Sequence, residues 1–157
     1  MTKHVLAKLE NDLRQLRNAL LNDIPREIAA AASQGDLSEN AEYEQALAKR
    51  DMYQAKVVAM EKRIAEVATL DIGRLPKDQV AYGSRVTLLD QDSDQEVTYT
   101  LVLPEELNND GGLLSISSPI GQKLVGLKVG EEVTIKIPAG TKRFELLSLE
   151  TVHQLTH

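Results

Sequence analysis

Gly35-Asp36-Leu37-Ser38-Glu39-Asn40-Ala41-Glu42-Tyr43 interrupts two long helical patterns of nearly equal length and places carboxylates where the interruption falls. Before it, Leu6, Leu9, Leu13, Leu16 and Leu20 step by threes and fours. After it, Tyr43, Ala46, Arg50, Tyr53, Val57, Met60, Ile64 and Val67 do the same. That alternation is the seam of a coiled coil, so the stretch reads as the tip of a helical hairpin. With about thirty residues in each arm and ~1.5 Å of rise per residue, the rod is roughly 45 Å long. Gly35 suits a left-handed helix C-cap, and Asp36 followed three residues later by Glu39 has capping-box spacing. The two carboxylates thus have a purely structural reading, which the helix macrodipole reinforces. Capping and a chemical role do not exclude each other.

Outward from the tip, the first arm extends back to about Thr2, and its apolar stepping slips to fours at Leu20, Ile24 and Ile28 before Ala29-Ala30-Ala31-Ala32. Small residues there let the arms approach closely. Pro25 lies inside the pattern, where it removes a backbone hydrogen bond and clashes with the preceding turn, so a kink is expected near residues 21 to 25, or else two shorter helices. The second arm runs to about Leu70, with Lys49, Arg50, Lys56, Lys62 and Arg63 giving it a basic character that the tip lacks. Arg50 falls on the seam, where its stem can pack while the guanidinium reaches water.

Gly73 and Pro76 mark a linker between Asp71 and Gln79, after which the period changes from helical to alternating. Arg85 to Leu89 reads as a strand, Gln91 to Asp94 as a turn, and Val97 to Leu103 as a half-buried strand. Asn108 to Gly112 is a loop and Leu113 to Ser117 a short strand. Ser118 caps a short helix with Pro119 at its first position, and Gly126 ends it. Two strands follow, Glu132 to Ile137 and Lys142 to Thr151, joined at Pro138-Ala139-Gly140. The fold class is α+β: a coiled-coil hairpin over residues 1–75, then a small antiparallel sheet with one short helix over residues 80–157.

Lys+Arg 18 against Asp+Glu 24 gives a net charge of -6 over 157 residues, which disfavours independent gripping of DNA or RNA, since that rests on neutralising phosphates. Aromatic residues make up only 3%, too few for stacking platforms along a single strand. A protein partner is favoured. There is no cysteine and no apolar signal core in the first thirty residues, so a cytoplasmic protein with no membrane segment is expected. His4, His153 and His157 lie near the ends, as tails, and no Ser/His/Asp constellation is legible. The chemistry left is Asp36 and Glu39 on an exposed turn. Magnesium is usually held by one or two carboxylates together with substrate phosphates and water, so these two make at most half a metal site. They could act by completing another protein's active site, for instance a two-metal phosphoryl-transfer centre.

The tip motif from Gly35 to Tyr43 resembles that of the bacterial Gre transcript-cleavage factors, closer to GreA than to GreB. Ser117-Ser118-Pro119-Ile120 and Val133 to Ile137 resemble their C-terminal domain. The resemblance implies an FKBP-like C-terminal domain, without prolyl isomerase activity, that docks at the rim of the RNA polymerase secondary channel while the coiled coil enters it. By position, Asp36 and Glu39 match the tip carboxylates that support a magnesium ion shared with the polymerase active site during hydrolysis of backtracked RNA. Ser118, Pro119 and Ile120 match the loop that contacts polymerase, and Ser117 stands where the GreB pattern carries an aspartate. Basic residues that commonly flank the tip and contact the nascent RNA 3′ end align here with Ala32 and Leu47. The basic patch typical of GreB is not evident. The expected function is therefore a transcription elongation factor, not itself an enzyme, that activates the polymerase's own nuclease. Two alternatives stand beside it: a channel-binding modulator or inhibitor without cleavage stimulation, and a prolyl isomerase suggested by Val129-Gly130-Glu131-Glu132-Val133. Against the latter, Phe144, Tyr82 and Tyr99 are all the aromatic lining this domain offers.

Overall fold

The computed structural model describes residues 2–33 and 37–155, without the side chains of 37–40. The chain divides into two compact units, Met1–Leu70 and Asp71–His157. In the first, α1 (Lys3–Asn18), a π-helical turn (Ala19–Asp23) and α2 (Ile24–Ala32) form one arm, and α3 (Leu37–Ala68) forms the other. The arms pack on each other along their apolar seams, with Val5, Leu9, Leu13 and Ile24 buried on one side and Ala46 and Val67 on the other. Val5, rather than Leu6, heads the buried row, because the row advances by fours from the start. Ion pairs cross between the arms, among them Arg17 to Glu61 at 3.3 Å and Lys49 to Glu27 at 3.0 Å. Their side chains are about half exposed, so each is worth no more than ~1 kcal/mol and the seam supplies most of the stability.

Pro25 acts as expected, by a specific route. Ile24 N–H donates to Ala19 O, five residues back, where a regular helix would use a partner four back. Pro25 has no N–H to offer and its ring crowds the carbonyl four residues before it, that of Leu21. Widening one turn to π register accommodates both, and the arm continues as helix on either side.

The second unit opens with a 3-10 turn (Ile72–Arg74), where the Asp71 carboxylate accepts the Gly73 N–H at 3.0 Å. Its sheet has five strands in the order β3-β2-β1-β5-β4: β1 (Arg85–Asp90), β2 (Gln95–Val102), β3 (Leu113–Ser115), β4 (Glu132–Ile137) and β5 (Gly140–Glu150). The expectation of a purely antiparallel sheet is corrected at β3, which runs parallel to β2. A 3-10 turn at Pro104–Glu106 and the loop 107–112 carry the chain back far enough for it to re-enter in the direction of β2. One face of the sheet closes over α4 (Pro119–Leu124), whose Leu124 is fully buried among Val80, Val86, Leu88, Leu101 and Leu146. A last helical turn, α5 (Val152–Leu155), is anchored by buried Val152, and His153 Nε2 lies 2.7 Å from Leu75 O. His153 is therefore fastened to the segment that precedes the sheet and is not a loose tail. Among the described residues no helix is long and apolar enough to cross a membrane.

Candidate functional site: the docking loop and the hairpin tip

Of the residues singled out from sequence, Asp36 and the side chain of Glu39 lie outside the described residues. The backbone of Glu39 belongs to the first turn of α3, where acidic residues suit the macrodipole. Just below the tip the two arms frame a groove lined by Glu27, Ala30, Ala31, Glu42, Ala46 and Lys49. Lys49 Nζ donates to both carboxylate oxygens of Glu27, at 3.0 and 3.1 Å, and this bond holds its ammonium above the ordinary lysine range. Lys49 and Lys56 also stand over the ring of Tyr53, at 5.7 and 5.3 Å from its centroid. Lys49, Tyr53 and Lys56 fall at i, i+4 and i+7, which puts all three on one helix face, a signal present in the sequence that the alignment of tip-flanking basic residues with Ala32 and Leu47 overlooks. Ala32 is exposed and Leu47 half-buried. Arg50 keeps its stem on the seam as expected, with one guanidinium nitrogen 3.4 Å from Asp51 Oδ1, but its Nε is buried with no hydrogen-bond partner. Among the described residues no three His, Asp or Glu side chains gather as a metal cage.

The loop Ser117-Ser118-Pro119-Ile120 is held with little freedom. Ser118 caps α4: its Oγ accepts the Gly121 N–H at 3.0 Å and donates to Ser115 O at 2.7 Å. Ser118 N–H donates to the same carbonyl at 3.1 Å. Ser117 N–H donates to Ser115 Oγ at 3.1 Å, and Gln122 Nε2 donates to Ser117 O at 3.1 Å. The strand expected to reach Ser117 stops at Ser115 because that carbonyl turns inward to serve the cap. These bonds leave Ser117 and Pro119 exposed while Ile120 packs against the core cluster. Two supporting residues escaped the sequence reading. Ser115 is 7% exposed, and Gly121 is so close to it that a Cβ would lie 2.0 Å from Ser115 O.

The aromatic residues that could line a proline pocket are divided between two places. Tyr82 is buried and donates to Glu106 Oε1 at 2.8 Å; burial, then that bond, push its phenol above the usual range. Tyr99 and Phe144 line a separate cavity at the far end of the sheet.

Two family models cover these two units. Residues 1–68 match the model described as transcription elongation factor, N-terminal, and residues 75–151 the model described as transcription elongation factor, GreA/GreB, C-term. The chain belongs to the GreA/GreB family of transcription elongation factors. It is 39% identical over 150 residues to transcription elongation factor GreA of Ruegeria pomeroyi, covering 96% of each chain. It is 34% identical over 150 residues to that of Pelobacter propionicus, covering 96% of this chain and 95% of the relative. Among solved structures, the GreA factor homolog Gfh1 of Thermus thermophilus is similar with a TM-score of 0.42 at 22% identity, over 92% of this chain and 94% of that one. Membership makes the chain an elongation factor. The loop geometry adds a surface of fixed shape on its sheet unit.

Proposed function

We propose that this elongation factor binds RNA polymerase through Ser117, Ser118, Pro119 and Ile120 and presents its hairpin tip in the secondary channel, where Asp36 and Glu39 stimulate the polymerase's intrinsic cleavage of backtracked RNA. The observation that carries the reading is the docking loop, in which bonds from Ser115, Ser118 and Gln122 fix the backbone while Ser117 and Pro119 stay exposed. A preordered surface loses little entropy on binding. The tip carboxylates supply oxygen ligands toward a magnesium ion shared with the polymerase, which contributes Lewis-acid stabilisation of the phosphoryl centre when bound. This chain's own part is to bring two carboxylates to that point, and Lys49, Tyr53 and Lys56 lie on the arm behind them. The test is cleavage in a stalled, backtracked elongation complex with and without the protein. Shortened transcripts that depend on the protein support the reading. Binding without shortened transcripts replaces it with a channel-occupying modulator, and absence of binding removes both.

A further inference from the structure

Strand β2 is paired with β1 from Gln95 to Thr100 but with β3 only at Thr100, Leu101 and Val102, so its first half forms an edge of the sheet. The hydrogen bonds give the direction of that edge. Leu101 N–H turns toward β1 and donates to Ser84 O, whereas Thr100 N–H turns away and donates to Gly112 O. Alternation along a strand then aims the N–H and C=O groups of Thr98 and Glu96 away from β1 as well. Neither residue has a further backbone partner among the described residues.

A cavity of about 310 Å³ adjoins this edge. It is lined by Asp90, Gln95, Glu96, Val97, Tyr99, Lys142 and Phe144. Val97 and Tyr99 offer apolar contact at alternate positions of the open strand. Asp90 pairs with Phe144 across β5 and receives Lys142 Nζ at 3.2 Å. Asp90 and Glu96 line this cavity together with Lys142, and Asp92 and Asp94 add two more carboxylates in the turn that joins β1 to β2. An acidic strand edge resists pairing with a second copy of itself.

We propose that the Gln95–Tyr99 edge and the adjoining cavity form a docking site for an extended basic peptide segment of a partner protein. The segment adds to the sheet beside β2, as strand addition does elsewhere. Its backbone bonds to Glu96 and Thr98, its alternate apolar side chains lie beside Val97 and Tyr99, and its basic side chains meet Asp94 and Glu96. This site is distinct from the Ser117–Ile120 loop, which follows the opposite end of β2 through Ile116 N–H to Val102 O, so it does not depend on the proposed polymerase contact.

The test uses the full chain, labelled with nitrogen-15, and two probes: acetyl-Leu-Arg-Val-Arg-Leu amide and its counterpart with glutamate in place of arginine. The basic peptide is expected to shift the amide signals of Glu96 and Thr98, to slow their hydrogen exchange, and to bind at least tenfold more tightly than the acidic one. Glu96→Lys should weaken it about tenfold. Thr98→Pro removes an outward N–H that the β1 ladder does not use and should abolish the shifts, with β1 and β5 signals reporting that the fold survives. Equal binding of both peptides, shifts confined to Pro119–Leu124, or no shift at Glu96 and Thr98 would overturn the proposal. Concentration-dependent shifts without peptide would assign the edge to a second copy instead and overturn it too.

Discussion

Replacing Gly121 by alanine tests whether the docking loop is held by close backbone packing. Gly121 sits in the first turns of α4 with ordinary helical backbone, so a glycine is needed there only for space. The added Cβ would lie 2.0 Å from Ser115 O, and separations under 3.0 Å are essentially never seen, so the carbonyl must retreat by at least 1 Å. Ser115 O accepts from Ser118 N–H at 3.1 Å and from Ser118 Oγ at 2.7 Å, and a retreat of that size weakens both bonds. Two hydrogen bonds at ~1 kcal/mol each and ~1–3 kcal/mol of overpacking strain give a loss of roughly 3–5 kcal/mol. For a unit of this size each kcal/mol lowers the midpoint by about 4–8 °C, so the expected fall exceeds ~10 °C. Hydrogen exchange of the amides of β1 and β5 during a thermal ramp follows the sheet unit directly. Gly73→Ala is the control: it lies in the same unit, and its Cβ would meet only the Asp71 side chain at 3.3 Å, so its change should stay within ~1 kcal/mol. A midpoint for Gly121→Ala within 2 °C of the unaltered protein would refute the argument.

Asp36→Asn and Glu39→Gln should leave the fold and polymerase pull-down intact, because amides still accept hydrogen bonds and a cap is worth only ~0.5–2 kcal/mol, yet abolish magnesium-dependent transcript cleavage. A large loss of helicity by circular dichroism would assign those carboxylates to capping alone. Pro119→Ala, at a residue exposed in the free protein, should weaken polymerase binding if that residue anchors the interface, with β1 and β5 amide signals unchanged, and unchanged pull-down would move the contact elsewhere. Burial tends to raise the Asp90 carboxyl, but the N–H groups of Asp92 and Ser93 and the ammonium of Lys142 outweigh it and hold the group below its usual range. A depressed folded-state pKa contributes stability that is present above the unfolded value and lost as the pH falls through the folded one, so Asp90→Asn should flatten stability against pH below about pH 4, read by urea melts. Pro25→Ala restores an N–H facing Leu21 O and should return the turn to regular α register, seen as new protection of that amide; a π turn that persists would show that the seam, not the proline, sets it.

Both the hairpin and the sheet were legible because each obeys one period. Ala46, Tyr53, Val57, Met60, Ile64 and Val67 keep the seam pattern of α3, and Tyr43 leaves it, at 36% exposure, only where the arm nears its end. The cap of α4 was legible too, since Ser118 before Pro119 has one economical use. What the sequence withheld depends on pairings distant along the chain. The parallel sense of β3 follows from how the loop 107–112 returns, which no local pattern encodes. Val152 and His153 appeared to be tail because their partners, such as Leu75 O, stand 78 residues away. Gly121 carries no signal in the sequence, because the close approach that demands it comes from Ser115 O.

The two candidate sites are built on opposite principles, and this separates binding from chemistry. The Ser117–Ile120 loop gains its shape from a network that partners Ser115 O, Ser117 N–H, Ser117 O, Ser118 N–H and Gly121 N–H, so in the proposed function its affinity would be sensitive to substitutions that never touch the partner, Gly121 above all. In the proposed function Asp36 and Glu39 would need only charge and spacing, since two carboxylates without a cage bind magnesium no better than the millimolar range and would rely on ligands supplied by the polymerase. Tethering converts that weak encounter into an intramolecular one, whose effective concentration depends on the connection and not on new contacts at the tip. Loop variants should therefore lose cleavage in proportion to lost occupancy and recover it at higher protein concentration. Tip variants should remain inactive at saturation. Cleavage restored to an Asp36→Asn variant merely by raising its concentration would contradict this division.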